Sequence, residues 1–445
     1  MNNLETIKNI FLRASRAVGR EVQLEIFCTT AAGTSVAWSE NKLEDSLISE
    51  SNGIGLRLLK AGRIGFSYTN NFDELSLDYM IASAIQDSEF LNPDGHFAFA
   101  APLPINENLD IFDASFESKS INSKIGLLKD MEAAAMADKR IKSVLRADYA
   151  ESAGQIFIVN SNGVSLSSRG TAFSYGISCV ASDNGEIQTG GEYAVKRKLV
   201  ELDFSSVTRE AVKNAAGLLG AKKINTGNYA AVLNQNVGCE FLSLIASSFS
   251  AFSVQKNISL LKGRKKQKVF SDAVNICDDG TLIGGIATSA FDDEGIPTRK
   301  TPLVVNGMLE NYLYDIYTAG VDNVTSTGNA SRGYSGIPAP SPSNIFIAPG
   351  SITFEKLLKE MGNGIYITET MGMHNADPVS GEFSVGINGF MVENGEIKHP
   401  VHGITIAGNI MNLFNSVAEL ADDLKFYASA GSPSILINNL SVAGN

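Results

Sequence analysis

The sequence predicts an α+β protein in which two helix-plus-β-meander units precede a β-rich C-terminal domain. Three observations carry that prediction. Forty-one glycines among 445 residues favour turns and strands over long helical bundles. The order helix, meander, helix occurs twice in the first half of the chain. From about Asn225 onward the sequence is rich in glycine and in strand-like runs, with few helical stretches. With 44% hydrophobic and 19% charged residues, the chain is long enough for two or three domains with substantial cores.

The first unit, residues 1–91, opens with Leu4, Ile7, Phe11, Ala14 and Val18 at the spacing of an amphipathic helix. Strand-like runs follow at Val22 to Cys28, Thr34 to Ser39, Ser46 to Ser51, Ile54 to Lys60 and Arg63 to Tyr68, with Gly33, Gly53 and Gly62 read as turns between them. A helix from Glu74 to Phe90 takes Asp73 as its N-cap. Residues 92–113 contain prolines and no periodicity, and read as a linker. The second unit, residues 114–223, repeats the order: a helix over Ile121 to Asp138, strands from Ser143 to Lys198, and a helix from Ser206 to Leu219. Its turn Asn160-Ser161-Asn162-Gly163 suits a hairpin, with Asn-Gly supplying positive φ angles. In the third domain, residues 224–445, the clearest helices follow Asn234 and cover Ile352 to Met361.

Composition narrows the function. A net charge of −12 argues against duplex binding, because phosphate neutralisation dominates that affinity. The one basic cluster, Lys262 to Lys268, reads as a solvated loop. No run approaches the roughly 20 apolar residues of a membrane span, and the N-terminus lacks the pattern of a secretory signal. The cysteines Cys28, Cys179, Cys239 and Cys277 form no CxxC pair and read as buried thiols. No nucleic-acid or membrane partner and a cytoplasmic setting are therefore expected. No glycine run matches a phosphate loop.

Residues 231–239, Ala-Val-Leu-Asn-Gln-Asn-Val-Gly-Cys, place a helix after an apolar strand. Further along come Phe291-Asp292-Asp293-Glu294-Gly295-Ile296-Pro297-Thr298, Ser326-Thr327-Gly328-Asn329-Ala330, Gly389-Phe390-Met391-Val392-Glu393-Asn394-Gly395-Glu396-Ile397 and Thr405-Ile406-Ala407-Gly408-Asn409-Ile410. As an ordered set these resemble the TldD/PmbA family, once called modulators of DNA gyrase and read as peptide-processing metalloproteases. The resemblance is strongest in the third domain and reaches the first in fragments such as Gly53-Ile54-Gly55-Leu56-Arg57.

The family's catalytic branch carries His-Glu-x-x-Gly-His on that helix. Laid onto this chain, the two His fall on Asn234 and Cys239, the Glu on Gln235, and the Gly on Gly238. A zinc hydrolase needs neutral imidazoles and a carboxylate base; Asn is a poor ligand and Gln no base. The resemblance also implies a late cysteine ligand, yet no cysteine follows Cys277. Ile404 to Asn409 and Asp377 to Phe383 follow the PmbA/TldE branch, which lacks the His-Glu motif. The resemblance thus implies a subunit with no catalytic residue, metal or cofactor of its own, whose TldD-like partner supplies zinc and whose substrate is an extended peptide docked by strand addition. Met371, His374, Asn375 and Asp377 are expected in a groove loop.

Two rivals accompany that reading. A stand-alone peptidase with a non-family metal site would use His374 with His399 or His402. However, His399-Pro400-Val401-His402 does not present two imidazoles on one helical face. A non-catalytic peptide-binding or scaffolding homodimer would need no TldD-like partner. Cys239 beside Glu240 has the wrong-signed neighbour for an activated thiolate. The carboxylates Asp278-Asp279 and Asp292-Asp293-Glu294 precede glycines and read first as turns rather than cation sites, and His96 in the linker carries no expected role.

Overall fold

The computed structural model describes residues 3–106 and 109–444. The first two units meet in one six-stranded antiparallel sheet. Its strands run, edge to edge, Arg63–Thr69, Lys42–Lys60, Gln23–Ser39, Ile141–Asn160, Ser165–Asp183 and Glu186–Lys196. The pairing that joins the units runs from Glu25 opposite Asn160 to Trp38 opposite Ala147. The runs separated in sequence at Gly33 and Gly53 are therefore continuous strands, and those two glycines are not turns. Each serves close approach instead. A Cβ on Gly33 would lie 3.1 Å from the Glu151 carbonyl oxygen, and one on Gly53 only 2.4 Å from the Tyr334 ring. Gly62 does turn the chain, at φ 75°. In the Asn160–Gly163 turn Gly163 takes the positive φ, at 96°, whereas Asn162 does not.

Both helix pairs pack on one face of this sheet. The helices Leu4–Val18 and Glu74–Phe90 cover Ile26, Cys28, Phe157 and Val159. The helices Ile121–Met136 and Phe204–Gly217 cover Val36, Trp38, Ala147 and Tyr149. Even positions of one central strand and odd positions of its neighbour point the same way in both clusters, as period-two alternation requires. Asp73 caps its helix as expected, its Oδ1 accepting from Ser76 N at 2.8 Å.

The opposite face meets the third domain. Phe27 and Ile158 pack against Phe291 there, and a buried ionic group binds the two bodies together. Arg57 donates to Glu25 at 2.7 Å and to Glu294 at 3.0 Å, and Arg332 donates to Glu25 at 2.6 Å. The Asp292-Asp293-Glu294 run does turn, with Gly295 N donating to the Asp292 carbonyl at 2.9 Å, and that turn is buried or nearly so at a domain contact. Asp292 accepts from the backbone N–H groups of Glu294, Ile296 and Ala330. Asp278 and Asp279 likewise end a buried strand. Burial pushes Glu25 up, but the guanidiniums of Arg332 and Arg57 outweigh it and hold its carboxyl below the usual range. A second clamp is Arg197, which donates to the carbonyls of Thr171, Gly285, Ile286 and Thr288. The described part of the 92–113 segment is tied down as well. Phe99 and Ala100 are buried, their carbonyls accept from Asn162 and Asn160, and His96 pairs with Asp94 at 2.6 Å.

Within the third domain the strands Gly227–Leu233, Gly364–Met371, Glu382–Glu393, Glu396–Asn409 and Ile435–Ala443 pair in a ring. Thr405 meets Ala443 and Ile435 meets Leu233, which closes a five-stranded barrel. Beside it lies a second six-stranded sheet, which includes Ile276–Asp279, Ile345–Ile347, Ala430–Ser432 and Lys425–Tyr427. The helix Gln235–Ala246 leaves the barrel's first strand and buries Val237, Phe241, Leu242 and Ile245 between the two. The Lys262 to Lys268 loop finds acidic partners within the protein, with Lys266 on Glu310 and Lys268 on Asp272. Among the described residues no helix is long and apolar enough to cross a membrane.

Candidate functional site

The helix Gln235–Ala246 begins where the strand Gly227–Leu233 ends, and Asn234 makes the joint. Its Oδ1 accepts from Val237 N at 2.8 Å, capping the helix, and its Nδ2 donates to the Thr368 carbonyl at 2.8 Å. Gln235 donates through Nε2 to Asp423 Oδ2 at 2.7 Å. Asp423 also accepts from the backbone and hydroxyl of Ser434 at 2.7 Å each. Gly238 lets the helix approach the opposite sheet, since a Cβ there would lie 2.2 Å from Ser432 Oγ. Cys239 is 3% exposed, and its thiol points to the Ala430 carbonyl at 3.3 Å. Burial pushes that thiol up to about 12.

These four residues do not fit a zinc ion. Both ends of the Asn234 amide are engaged by backbone, Gln235 has no ionisable oxygen, and the Cys239 thiol is held protonated by burial. Among the described residues no three His, Cys, Asp or Glu side chains gather as a metal would need. His399 lies in the strand Glu396–Asn409 with Nδ1 3.3 Å from the Pro400 carbonyl oxygen, and the His402 backbone N–H reaches Lys222.

The N-terminal turn of the same helix faces a cavity of about 300 Å³ between the second unit and the third domain. One wall is the outer sheet face, with Asp148, Gly176, Gly191 and Tyr193, joined by Glu192 of the edge strand; the other holds Asn234, Asn236, Thr368, Glu369 and Tyr427. A second opening of about 390 Å³ shares Tyr193, Asn236 and Tyr427 with it and extends past Cys239 and Glu240 to Met373 and His374. The two form one groove along the helix.

Of the expected groove-loop residues, His374 lines that second opening. Met371 ends its strand 44% exposed, with its methyl over Gly386. Asn375 closes a short 3₁₀ turn by its backbone N–H to the Gly372 carbonyl at 2.9 Å. Asp377 accepts from Val379 N at 2.8 Å, and that bond holds its carboxyl below the usual range. Asp377 therefore shapes the loop rather than the groove wall. Sequence reasoning passed over Asp148, Glu192, Tyr193 and Asn214, which come from the second unit. Only the folding of one domain onto another brings them to the helix.

The chemistry of the groove is acidic, with amide and aromatic groups between the acids. Glu192 accepts from Lys425 at 3.1 Å, and the ring centroids of Tyr193 and Tyr427 lie 5.5 Å apart. Burial raises Asp148 against the pull of Arg146, which stands 3.9 Å away. Burial also raises Glu240, against a hydrogen bond from Thr370, with the nearby Glu369 adding to the rise.

Three family models match the chain. The PmbA/TldA metallopeptidase domain 1 covers residues 24–88, the central domain 114–219, and the C-terminal domain 226–444. An uncharacterised Methanocaldococcus jannaschii protein is 32% identical over 389 residues, covering 87% of this chain and 88% of its own. Metalloprotease PmbA of Escherichia coli O157:H7 is 25% identical over 438 residues, covering 96% and 94%. Among solved structures, a Thermotoga maritima protein named as a candidate modulator of DNA gyrase superposes with a TM-score of 0.91. It is 28% identical and covers 99% of each chain. TldE from Thermococcus kodakarensis shares the fold at a TM-score of 0.89 and 20% identity, covering 99% of this chain and all of its own.

Proposed function

The chain belongs to the PmbA/TldD metallopeptidase family, and from that premise we propose that it is the metal-free, TldE-like subunit of a two-chain peptide-processing protease. The observation that carries the reading is the state of the motif helix. Asn234 is spent on capping, Gln235 on Asp423, and Cys239 on a buried contact with Ala430. None of them is available to bind zinc or to take a proton from water. The groove beside the helix remains, lined by both domains. In this reading an extended peptide lies in that groove, and a TldD-like partner brings the metal and the base. The family relatives named TldD, such as the Buchnera aphidicola homologue, supply the kind of partner required.

The test is metal content and activity with and without such a partner. The purified chain should hold well under one zinc per molecule and cleave no unstructured peptide. Co-expressed with a His-Glu-bearing relative from the same cell, it should co-purify as a complex with zinc and peptidase activity. Stoichiometric zinc with proteolysis by this chain alone would overturn the reading in favour of a stand-alone peptidase. A stable homodimer that ignores every His-Glu-bearing relative would favour the scaffolding alternative.

A further inference from the structure

Two carboxylates of the groove, Glu369 and Glu240, have no cationic side-chain partner among the described residues. Glu192 is satisfied by Lys425, which also sits 4.4 Å from the Tyr427 ring centroid. Arg146 is divided between Asp148 at 3.9 Å and Glu44 at 3.0 Å. Among the described residues Glu369 is bonded by the Asn388 amide, at 2.8 Å, and Glu240 by the Thr370 hydroxyl and the distant Asn236 amide at 3.5 Å. Glu369 lines the cavity and Glu240 its extension, with Asn236 on the border of both. Burial raises the Glu240 carboxyl, and the Glu369 charge nearby adds to the rise. Two part-buried carboxylates, beside the exposed ring of Tyr193 and the part-buried ring of Tyr427, form an environment that a positive charge stabilises twice over: by ion pairing and by attraction to the aromatic faces. Gly176 and Gly191 line the same cavity of about 300 Å³.

We propose that this cavity receives a cationic ammonium group of the substrate peptide, with Glu369 and Glu240 as its anionic partners and Tyr193 and Tyr427 as its aromatic wall. The inference rests on the peptide-groove reading above and adds the chemical class of the peptide. A free amino terminus and a lysine side chain present the same ammonium, so the experiment separates them.

Fluorescently labelled hexapeptides of one neutral sequence would be titrated into the full chain and into its complex with a TldD-like subunit. Four forms are compared: a free amino terminus, an acetylated terminus, an acetylated peptide with one central lysine, and the same with glutamate. One of the two cationic forms should bind about tenfold or more tightly than the acetylated neutral peptide, roughly 1.4 kcal/mol, and the glutamate form more weakly still. Whichever form gains identifies the source of the ammonium. The preference should shrink in 0.5 M salt, as charge pairing requires. It should also shrink in Glu369→Gln, which can still accept from Asn388, and vanish in Glu369→Gln/Glu240→Gln, read as the ratio of cationic to neutral binding within each variant. Equal binding of cationic and neutral forms, or a preference that survives the double variant, overturns the proposal while leaving the peptide groove standing. If no form binds either preparation, the peptide-groove reading itself falls.

Discussion

Gly238 and Cys239 show how single side chains at the motif are fixed by what packs on them. A methyl group on Gly238 would collide with Ser432 Oγ, and Ser432 sits at the buried end of a strand with its hydroxyl on the Pro433 carbonyl. Gly238→Ala should therefore cost about 1–3 kcal/mol in denaturant unfolding, the usual range for overpacking. Ser432→Gly should recover part of that loss in a double-mutant cycle. An additive cycle would show that the helix simply shifts. Cys239 makes a chemical prediction. With its thiol pushed up to about 12 by burial, the folded protein at pH 8 holds almost no thiolate there. Alkylation at that position should be slow and track unfolding, as mass spectrometry of the digested protein can resolve. Rapid labelling in the native state would contradict the packing described.

At the scale of the element, the motif helix is held at its start by amide side chains where the family's catalytic branch has ligands and a base. Gln235→Glu restores a carboxylate but sets it against Asp423, whose oxygens already serve Ser434. Repulsion would raise the new group's pKa in the folded state above its unfolded value near 4.3. A raised carboxyl contributes its stability below the unfolded pKa and loses it as pH rises through the folded one. The variant should thus match the parent near pH 4 and fall about 1–3 kcal/mol behind it by pH 8. Thermal melts across that range decide the matter, and a constant deficit would mean that only the lost amide donor counts. Helices were the legible elements. Asp73 announced its cap in the sequence and caps as read; Thr353 and Asn234 cap their helices as well, roles their sequence context did not single out. Strand continuity was not legible. Gly33 and Gly53 look like turns until Glu151 and Tyr334, distant in the chain, are seen to press against them. The motif helix could be placed from sequence, but the groove could not, because Asp148, Glu192 and Tyr193 reach it only through domain packing.

For the whole molecule, the decisive contact is the buried group of Glu25, Arg57, Glu294 and Arg332, contributed by the first sheet and the third domain. Removing one partner strands a charge away from water, and Arg332→Met should cost about 3–5 kcal/mol. Because that side chain bridges two bodies, calorimetry should show one transition for the parent and separate transitions for the sheet unit and the barrel of the variant. A single transition at lower temperature would mean that the remaining contacts suffice to couple them. The ring of the third domain has a further consequence, in the order of events. Ile435 pairs with Leu233, and Thr405 with Ala443, so the strand preceding the motif helix waits for a partner from the far side of its own domain. Such a contact is slow to form, since a long loop must close before any reward arrives. In the first sheet four of the five strand pairings are neighbouring hairpins, and the one long-range ladder, Glu25 opposite Asn160, closes a shorter loop than Leu233 opposite Ile435. During synthesis or refolding the molecule should therefore hold a finished sheet beside an open barrel, with the groove still unmade. Pulsed hydrogen exchange would see protection reach Ile156 to Val159 before Ala231 to Leu233. The groove for a peptide is then among the last features the chain acquires, and a half-made subunit has nothing with which to hold one.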